Sequence, residues 1–475
     1  MSIAERAISI NGEQIVIEDE ALETFIASIR GQVIRPGDAT YDETRKLWNG
    51  MIDKHPALIV RATGTADVAA TVRFARDHQI LLTVRGNGHN VAGNAIADGA
   101  LMLDLSAMRA VQVDPVARIA RVQPGANWGD LDHETQVHGL VTPGGQVSTT
   151  GIAGFTLAGG MGYIRRKYGL ACDNLIGAEV VLADGSVVRA SETENPDLLW
   201  GLQGGGGNFG VVTSFEYRLF PLGPEVAFVS TIYSLQDVEQ ILRGWRAYSE
   251  QAPDEVTPDF YVWGMPAAPG VPEEMVGMPI VFIAGMYAGP ADEGERMLRP
   301  LRELATPIAD ESGIAPYTMV QSKADPLFPN GLLNYWKSVT LASLDATGIE
   351  AVLRVAHERP TPQTLIALRY LGGAISRVHE DATAYGNRSA LYNLSIDTTW
   401  TNPFQSEELI GWTRQVWSEI QEATGAGVYL NFAGFAEENS KLAELAYRSN
   451  HDRLVALKRK FDPTNLFRTN VNIKP

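Results

Sequence analysis

One cysteine in 475 residues, Cys172, excludes an internal disulfide framework and the small stapled folds that depend on one. Cations are in deficit. Thirty-nine Lys and Arg against 56 Asp and Glu leave a net charge of -17, the wrong sign for DNA, RNA or an acidic membrane surface as partner. No apolar run approaches the ~18 residues of a membrane span, and Met1 to Arg6 lacks the basic-then-apolar layout of a secretion signal. A cytoplasmic setting is therefore expected. Two nucleotide motifs are missing as well: no G-x-G-x-x-G stands in a strand-turn-helix setting, and no G-x-x-x-x-G-K-[ST] occurs. A nicotinamide Rossmann domain and a nucleotide triphosphatase are disfavoured. What remains is a chain of 45% hydrophobic and 20% charged residues, ample for two or three domains with real cores.

Glycine is plentiful, and it is clustered. A β-prone run, Ile80 to Val84, leads into Arg85-Gly86-Asn87-Gly88-His89-Asn90. Glycines let a backbone approach a ligand without a Cβ in the way, an arginine can meet phosphate charge, and a histidine ring nitrogen can act as nucleophile, ligand or base. A second segment runs through Thr142-Pro143-Gly144-Gly145, Gly151 to Gly154 and Gly159-Gly160-Met161-Gly162-Tyr163. So many small residues suit a surface that bends closely around a flat or phosphorylated ligand. Val180 to Val188 carries Asp184-Gly185 at a hairpin turn. Gly204 to Thr213 forms a third cluster.

The pattern elsewhere is mixed. A helix is expected near Ile17 to Arg30, a strand over Ala57 to Val60, and a helix from Thr65 to His78 capped by Thr65 with Asp67 in its first turn. Past Phe220-Pro221-Leu222, strands (Val226 to Ile232, Ile280 to Met286, Leu365 to Tyr370, Ser389 to Ile396) alternate with helices (Leu235 to Gln251, Ala291 to Leu304), the pattern of an α+β domain with an antiparallel sheet. A last helix is expected from Leu442 to Lys460.

Taken in order, V-R-G-N-G-H-N at Val84 to Asn90, the glycines of 151–163, R-K-Y-G-L-x-x-D-N at Arg166 to Asn174, G-G-G-N-F-G-V-V-T at Gly205 to Thr213 and the tail Arg453 to Phe467 resemble one family. It is the FAD-linked oxidases of the vanillyl-alcohol oxidase / p-cresol methylhydroxylase superfamily, in the berberine-bridge-enzyme-like branch that holds bacterial 6-hydroxy-D-nicotine oxidase. The resemblance implies an α+β fold, with a two-part FAD-binding module (53–222, after a lead-in of 1–52), a substrate domain of antiparallel sheet covered by helices (223–430) and a closing segment (431–475) that returns to the FAD module. It implies an oxidase that moves a hydride from a C–OH or C–NH carbon to flavin N5, then electrons to oxygen, giving hydrogen peroxide. A dehydrogenase of the same fold with another acceptor, or a flavin-retaining binding protein, are the alternatives. Partners are a small substrate and oxygen, not nucleic acid or membrane.

By the same resemblance His89 is the flavin-linking histidine, and Arg85, Gly86, Asn87, Gly88, Asn90, Thr149, Gly151, Gly154, Gly159, Gly160, Gly162, Asp173, Asn174, Val212 and Asn470 hold the cofactor. Val147 stands where relatives carry a second, cysteine link, so a single covalent bond is expected; Cys172 lies elsewhere and reads as a small buried hydrophobe. Thr150 occupies the gatekeeper position over the oxygen-accessible flavin face, or Thr149 if the register slips by one. Tyr429 and Asn431, on one face of an expected strand, are the candidate base and its orienting partner, the alternative being a core aromatic and a strand-end cap. Tyr335, Lys337, Tyr392 and Asn393 are weaker pocket candidates, and His451 reads as structural.

Overall fold

The computed structural model describes residues 5–267, 271–437 and 439–475. Its fold class is α+β. After a hairpin of Glu5–Ile8 and Gln14–Ile17, helix Asp19–Ser28 precedes a four-stranded sheet ordered Gln32–Ile34, Leu58–Arg61, Leu101–Asp104, Leu82–Arg85. The last three strands run parallel, and helix Thr65–Asp77 makes the crossover that parallel pairing requires. A second, antiparallel sheet is ordered Val187–Ser191, Leu175–Val181, Val211–Arg218, Ile119–Val122, Val111–Asp114. It contains the hairpin expected at Asp184-Gly185, with Gly185 at φ 80°.

The larger sheet has eight antiparallel strands. Pro307–Asp310, Glu225–Ser234, Pro279–Tyr287, Val256–Gly264, Leu365–Tyr370, Tyr392–Trp400 and Leu333–Leu341 follow in order, and Gly313–Pro316 also pairs with Glu225–Ser234. Four helices, Val238–Gln251, Ala291–Arg302, Ala346–His357 and Ser406–Thr424, pack on it. Strand side chains alternate between faces, so Thr398 meets Thr413 of helix Ser406–Thr424 through a 2.7 Å hydroxyl pair while Asp397 turns to the opposite side. That opposite face is the roof of the cleft described below.

Three local expectations are corrected. Thr65 does not cap its helix: the cap is Gly64 in an extended conformation, and Thr65 Oγ1 instead donates to Glu179 at 2.7 Å. Asp67 ties down the entry, accepting from the amides of Thr63, Arg30 and Gly31. The closing helix is two helices, Asn439–Tyr447 and His451–Phe461, broken at a 3-10 turn where Arg448 takes φ 47°. Residues 430–432 form a 3-10 turn, Leu430–Phe432, not a strand.

The chain's last segment is anchored from below the cleft. Lys458 is fully buried and donates to Asn208 O, Phe467 O and Asp462, at 2.7–2.8 Å. An ammonium with three acceptors needs no water, and it locks the Gly204–Asn208 turn to the tail.

A cleft between glycine loops and an aromatic roof

Between the two smaller sheets and the open face of the large one lies a cavity of about 320 Å3. Its floor is backbone-rich. Gly86 to Val91, Gln146, Val147, Thr150, Gly151, Ala153 and Gly154, Gly206 to Asn208 and Asn470-Val471 line it. Close approach explains the small residues at two points. A Cβ on Gly151 would stand 2.5 Å from Cβ of Asn87, so the two floor loops touch only because one has no side chain. Gly88 sits at φ 74°, a conformation that strains any L side chain.

The amides of Asn87 through Val91 donate to no protein acceptor among the described residues. A run of free N–H groups in a glycine turn makes an anion-binding concavity. Arg369, at the far end, is the one Lys or Arg lining the cavity among the described residues. A dinucleotide's pyrophosphate would therefore be held by main-chain dipoles, and its ring system by the apolar walls. Both fit FAD.

His89 lines this floor, with its ring stacked on Trp48 at 4.6 Å and 15° between planes. Its Nε2 is buried without a hydrogen-bond partner. Burial favours the uncharged ring and pushes its pKa down to about 4, so the imidazole is neutral, with a lone pair free, at any physiological pH. Thr150 lines the cavity while Thr149 faces solvent. Val147 also lines it. Cys172 is fully buried outside it, and burial raises its thiol pKa well above the ordinary value.

Eleven of the expected site residues line the cleft: Gly86, Asn87, Gly88, His89, Asn90, Thr150, Gly151, Gly154, Val212, Asn431 and Asn470. Eight do not, for reasons of geometry. Arg85 ends a strand whose alternation sends its side chain away from the ligand face, to the carbonyl of Thr44 and toward Asp104 at 3.8 Å. Gly159, Gly160 and Gly162 form the turn behind the wall; a Cβ on Gly162 would stand 1.7 Å from Gly144 O. Asp173 is taken by a two-pronged ion pair from Arg388, at 2.5 and 2.9 Å, and Asn174 donates to the carbonyls of Tyr168 and Leu170.

Tyr429 is the largest departure. Its hydroxyl accepts from the amides of Gly160 and Met161, at 3.0 and 3.1 Å, and from Asn431 Nδ2 at 2.9 Å. Burial pushes its pKa up to about 12. It braces the glycine turn from behind, and Asn431, which also donates to Phe155 O at 3.0 Å, is the member of the pair that reaches the cavity. Tyr335, Lys337, Tyr392 and Asn393 do not line it. Tyr335 and Lys337 converge on Glu437, the lysine at 2.7 Å.

The roof was not legible in the sequence. Tyr261, Trp263, Phe282, Phe328, Trp336 and Phe432 wall it, with edge contacts of 5.8 Å between Trp336 and Phe432 and 6.3 Å between Phe328 and Trp336. Two charged residues stand among them, Arg369 and Asp397. Arg369 NH1 donates to Ser395 Oγ at 2.9 Å, and its guanidinium lies 4.7 Å over the Phe432 ring. Polar residues at alternate positions of the apolar strand Tyr392–Trp400 were the available signal, but nothing in the sequence says which face they take.

Comparison with known proteins agrees with this anatomy. Residues 56–191 match the FAD binding domain family and residues 428–474 the berberine and berberine-like family. The chain is 30% identical to (R)-6-hydroxynicotine oxidase of Paenarthrobacter nicotinovorans over 94% of this chain and 97% of the relative. The crystal structure of 6-hydroxy-D-nicotine oxidase from Arthrobacter nicotinovorans superposes with a TM-score of 0.82 at 29% identity, covering 94% and 98% of the two chains. The glucooligosaccharide oxidase of Acremonium strictum, a flavinylated protein, gives 0.82 at 25% identity over 96% and 98%. Free main-chain amides, a glycine-lined floor and an apolar roof are thus set in the fold of these enzymes, and the chain belongs to the berberine-bridge-like family of FAD-linked oxidoreductases.

Proposed function

We propose that the protein is an FAD-dependent oxidase whose flavin is bonded to His89 alone, and that it oxidises a C–OH or C–NH carbon of a small substrate with oxygen as final acceptor. Bound FAD supplies a two-electron acceptor that oxygen can then reoxidise, with release of hydrogen peroxide. The observation that carries the reading is His89: a neutral imidazole with an unpartnered ring nitrogen, fixed by Trp48 in the floor of the cleft. A covalent bond from that ring to the flavin 8α-methyl needs a nucleophilic, unprotonated nitrogen held still, and the site provides both. Val147 in the cleft and Cys172 outside it support a single link, since valine has no thiol and the Cys172 thiol is buried away from the cleft.

The remaining residues have roles that follow from where they sit. The amides of Asn87 to Val91, without protein acceptors, would hold the phosphates of FAD. Thr150, β-branched and small, lines the cleft where it would leave oxygen a path to bound FAD. The aromatic roof excludes water and admits a substrate that is largely apolar or flat-faced.

The test has two parts. Acid-precipitated protein stays yellow, and the peptide containing His89 carries one FAD mass; a colourless precipitate refutes the covalent link. A peroxide-coupled screen of amines, secondary alcohols and sugars, including (R)-6-hydroxynicotine and glucose oligosaccharides, then finds the substrate. Flavin that a substrate reduces but that reoxidises slowly in air points instead to a dehydrogenase.

A further inference from the structure

Asp397 is a carboxylate in a place where a carboxylate is costly. It is 2% exposed, lines the cleft, and its Oδ1 is buried without a hydrogen-bond partner. Its strand neighbours are fixed by register: Trp336 stands opposite on one side and Leu365 on the other, and both line the same cavity. Two residues back on the same face is Ser395, whose Oγ accepts from Arg369. A buried carboxylate is costly even with the charge of Arg369 and the Ser395 hydroxyl near it, and packing alone would have been served by an apolar side chain at this position. A burial cost that its neighbours only partly offset, in a cleft, is the mark of a group kept for its chemistry.

Resting on the oxidase reading above, we propose that Asp397 is the proton acceptor of the reaction, taking the O–H or N–H hydrogen of the substrate while Arg369 holds the carboxylate ready. In that step the substrate C–H bond breaks with its electron pair passing to the oxidised flavin. The O–H or N–H bond breaks with its proton passing to an oxygen of Asp397, and C=O or C=N forms. The flavin is reduced by two electrons, the substrate is oxidised by two, and the carboxylate becomes a carboxyl that water reclaims. Asp397 replaces Tyr429 in this role because it reaches the cavity and Tyr429 does not.

The surroundings give the group a suitable range. Burial raises its pKa to about 6, against the lowering pull of Arg369 and the Ser395 hydroxyl. Beyond Arg369, the next strand contributes Asp259 and Tyr261, both acting on the guanidinium. From Leu333–Leu341 only the uncharged Trp336 faces Asp397; Lys337 turns to the helix side, 3.5 Å over the Trp417 ring. A base with this pKa is ionised at neutral pH and still strong enough to take a proton as the carbon is oxidised.

The test uses the holoenzyme, Asp397→Asn and Asp397→Glu. Anaerobic stopped-flow bleaching of the flavin is followed from pH 5 to 9 with (R)-6-hydroxynicotine and with cellobiose as probes. With either probe, the wild-type rate should fall as pH drops through about 6. Asp397→Asn should slow it by roughly 10²-fold or more, the scale of a lost general base, and lose that limb; Asp397→Glu should restore the limb. Photoreduction of the flavin by an artificial donor should be equal in all three. Asp397→Asn reduced at nearly the wild-type rate with the limb intact overturns the proposal. If neither probe bleaches wild-type flavin, the oxidase reading loses those substrates and infrared difference spectra decide for Asp397. A carboxyl C=O band that rises below pH about 6 and is missing from Asp397→Asn upholds it, and no such band overturns it.

Discussion

Asp132 offers a quantitative test of how the fold holds the cleft. It lies on helix Trp128–Gln136, 2% exposed, with Oδ1 unpartnered and Oδ2 accepting from Gln321 Nε2 at 3.1 Å. The same Gln321 nitrogen donates to Gly145 O at 3.2 Å, so this contact ties helix Tyr317–Ser322 to the loop that carries Gln146, Val147 and Thr150. Burial pushes the Asp132 pKa up from 3.8 to about 7. A carboxyl whose folded pKa is raised favours the folded state below its unfolded pKa of ~3.9, and that advantage is lost as pH rises to about 7. Some three units at 1.36 kcal/mol each make the full loss roughly 4 kcal/mol. Between pH 5 and pH 8 it is roughly 3 kcal/mol. Asp132→Asn removes the titration and keeps the shape. Relative to wild type, the variant should gain roughly 3 kcal/mol on moving from pH 5 to pH 8. An unfolding entropy of ~2.1 cal/mol/K per residue makes that roughly 3 °C in Tm for a chain of this length. Calorimetry or urea titration at the two pH values measures it. The same Tm offset at both pH values would show that the carboxyl is not titrating in this range, and the reasoning fails.

Three further outcomes follow from the cleft. His89→Ala should fold, bind FAD through the loop amides and release it on acid precipitation; a variant that stays yellow in acid places the link elsewhere. Thr150→Leu should slow reoxidation by oxygen much more than reduction by an artificial donor, and equal changes in both half-reactions remove Thr150 from the oxygen path. Tyr429→Phe leaves the Gly160 and Met161 amides without their acceptor, so it should cost about 1–3 kcal/mol in unfolding free energy while flavin reduction stays within about tenfold of wild type. A loss of hundredfold or more with stability unchanged would return Tyr429 to the chemistry.

The floor of the site was legible in the sequence because its chemistry is local. Gly86 to Asn90, Gly151 and Gly154 follow one another along short loops, and what they contribute, free amides and missing Cβ atoms, needs no distant partner to be recognised. Strand and helix periods were readable for the same reason, since apolar spacing of two or 3.6 residues is written in consecutive positions. Boundaries and breaks were less so: the 3-10 turn at Leu430–Phe432 and the interruption at Arg448 come from packing against the glycine turn and residues 380–387, not from a local breaker. Gly159, Gly160, Gly162 and Asp173 stand behind the lining of the cleft, which the motif did not reveal because it records which residues matter, not which way they face. Arg388, 215 residues from Asp173, decides that orientation. The roof was decided by tertiary structure alone. Trp336, Arg369 and Asp397 come from segments far apart in the chain, and only the pairing of Leu365–Tyr370 and Leu333–Leu341 with Tyr392–Trp400 puts them on one face. A sequence fixes side-chain identity and local period; the burial that makes one carboxylate an ion pair and another a base exists only once distant strands have closed around it.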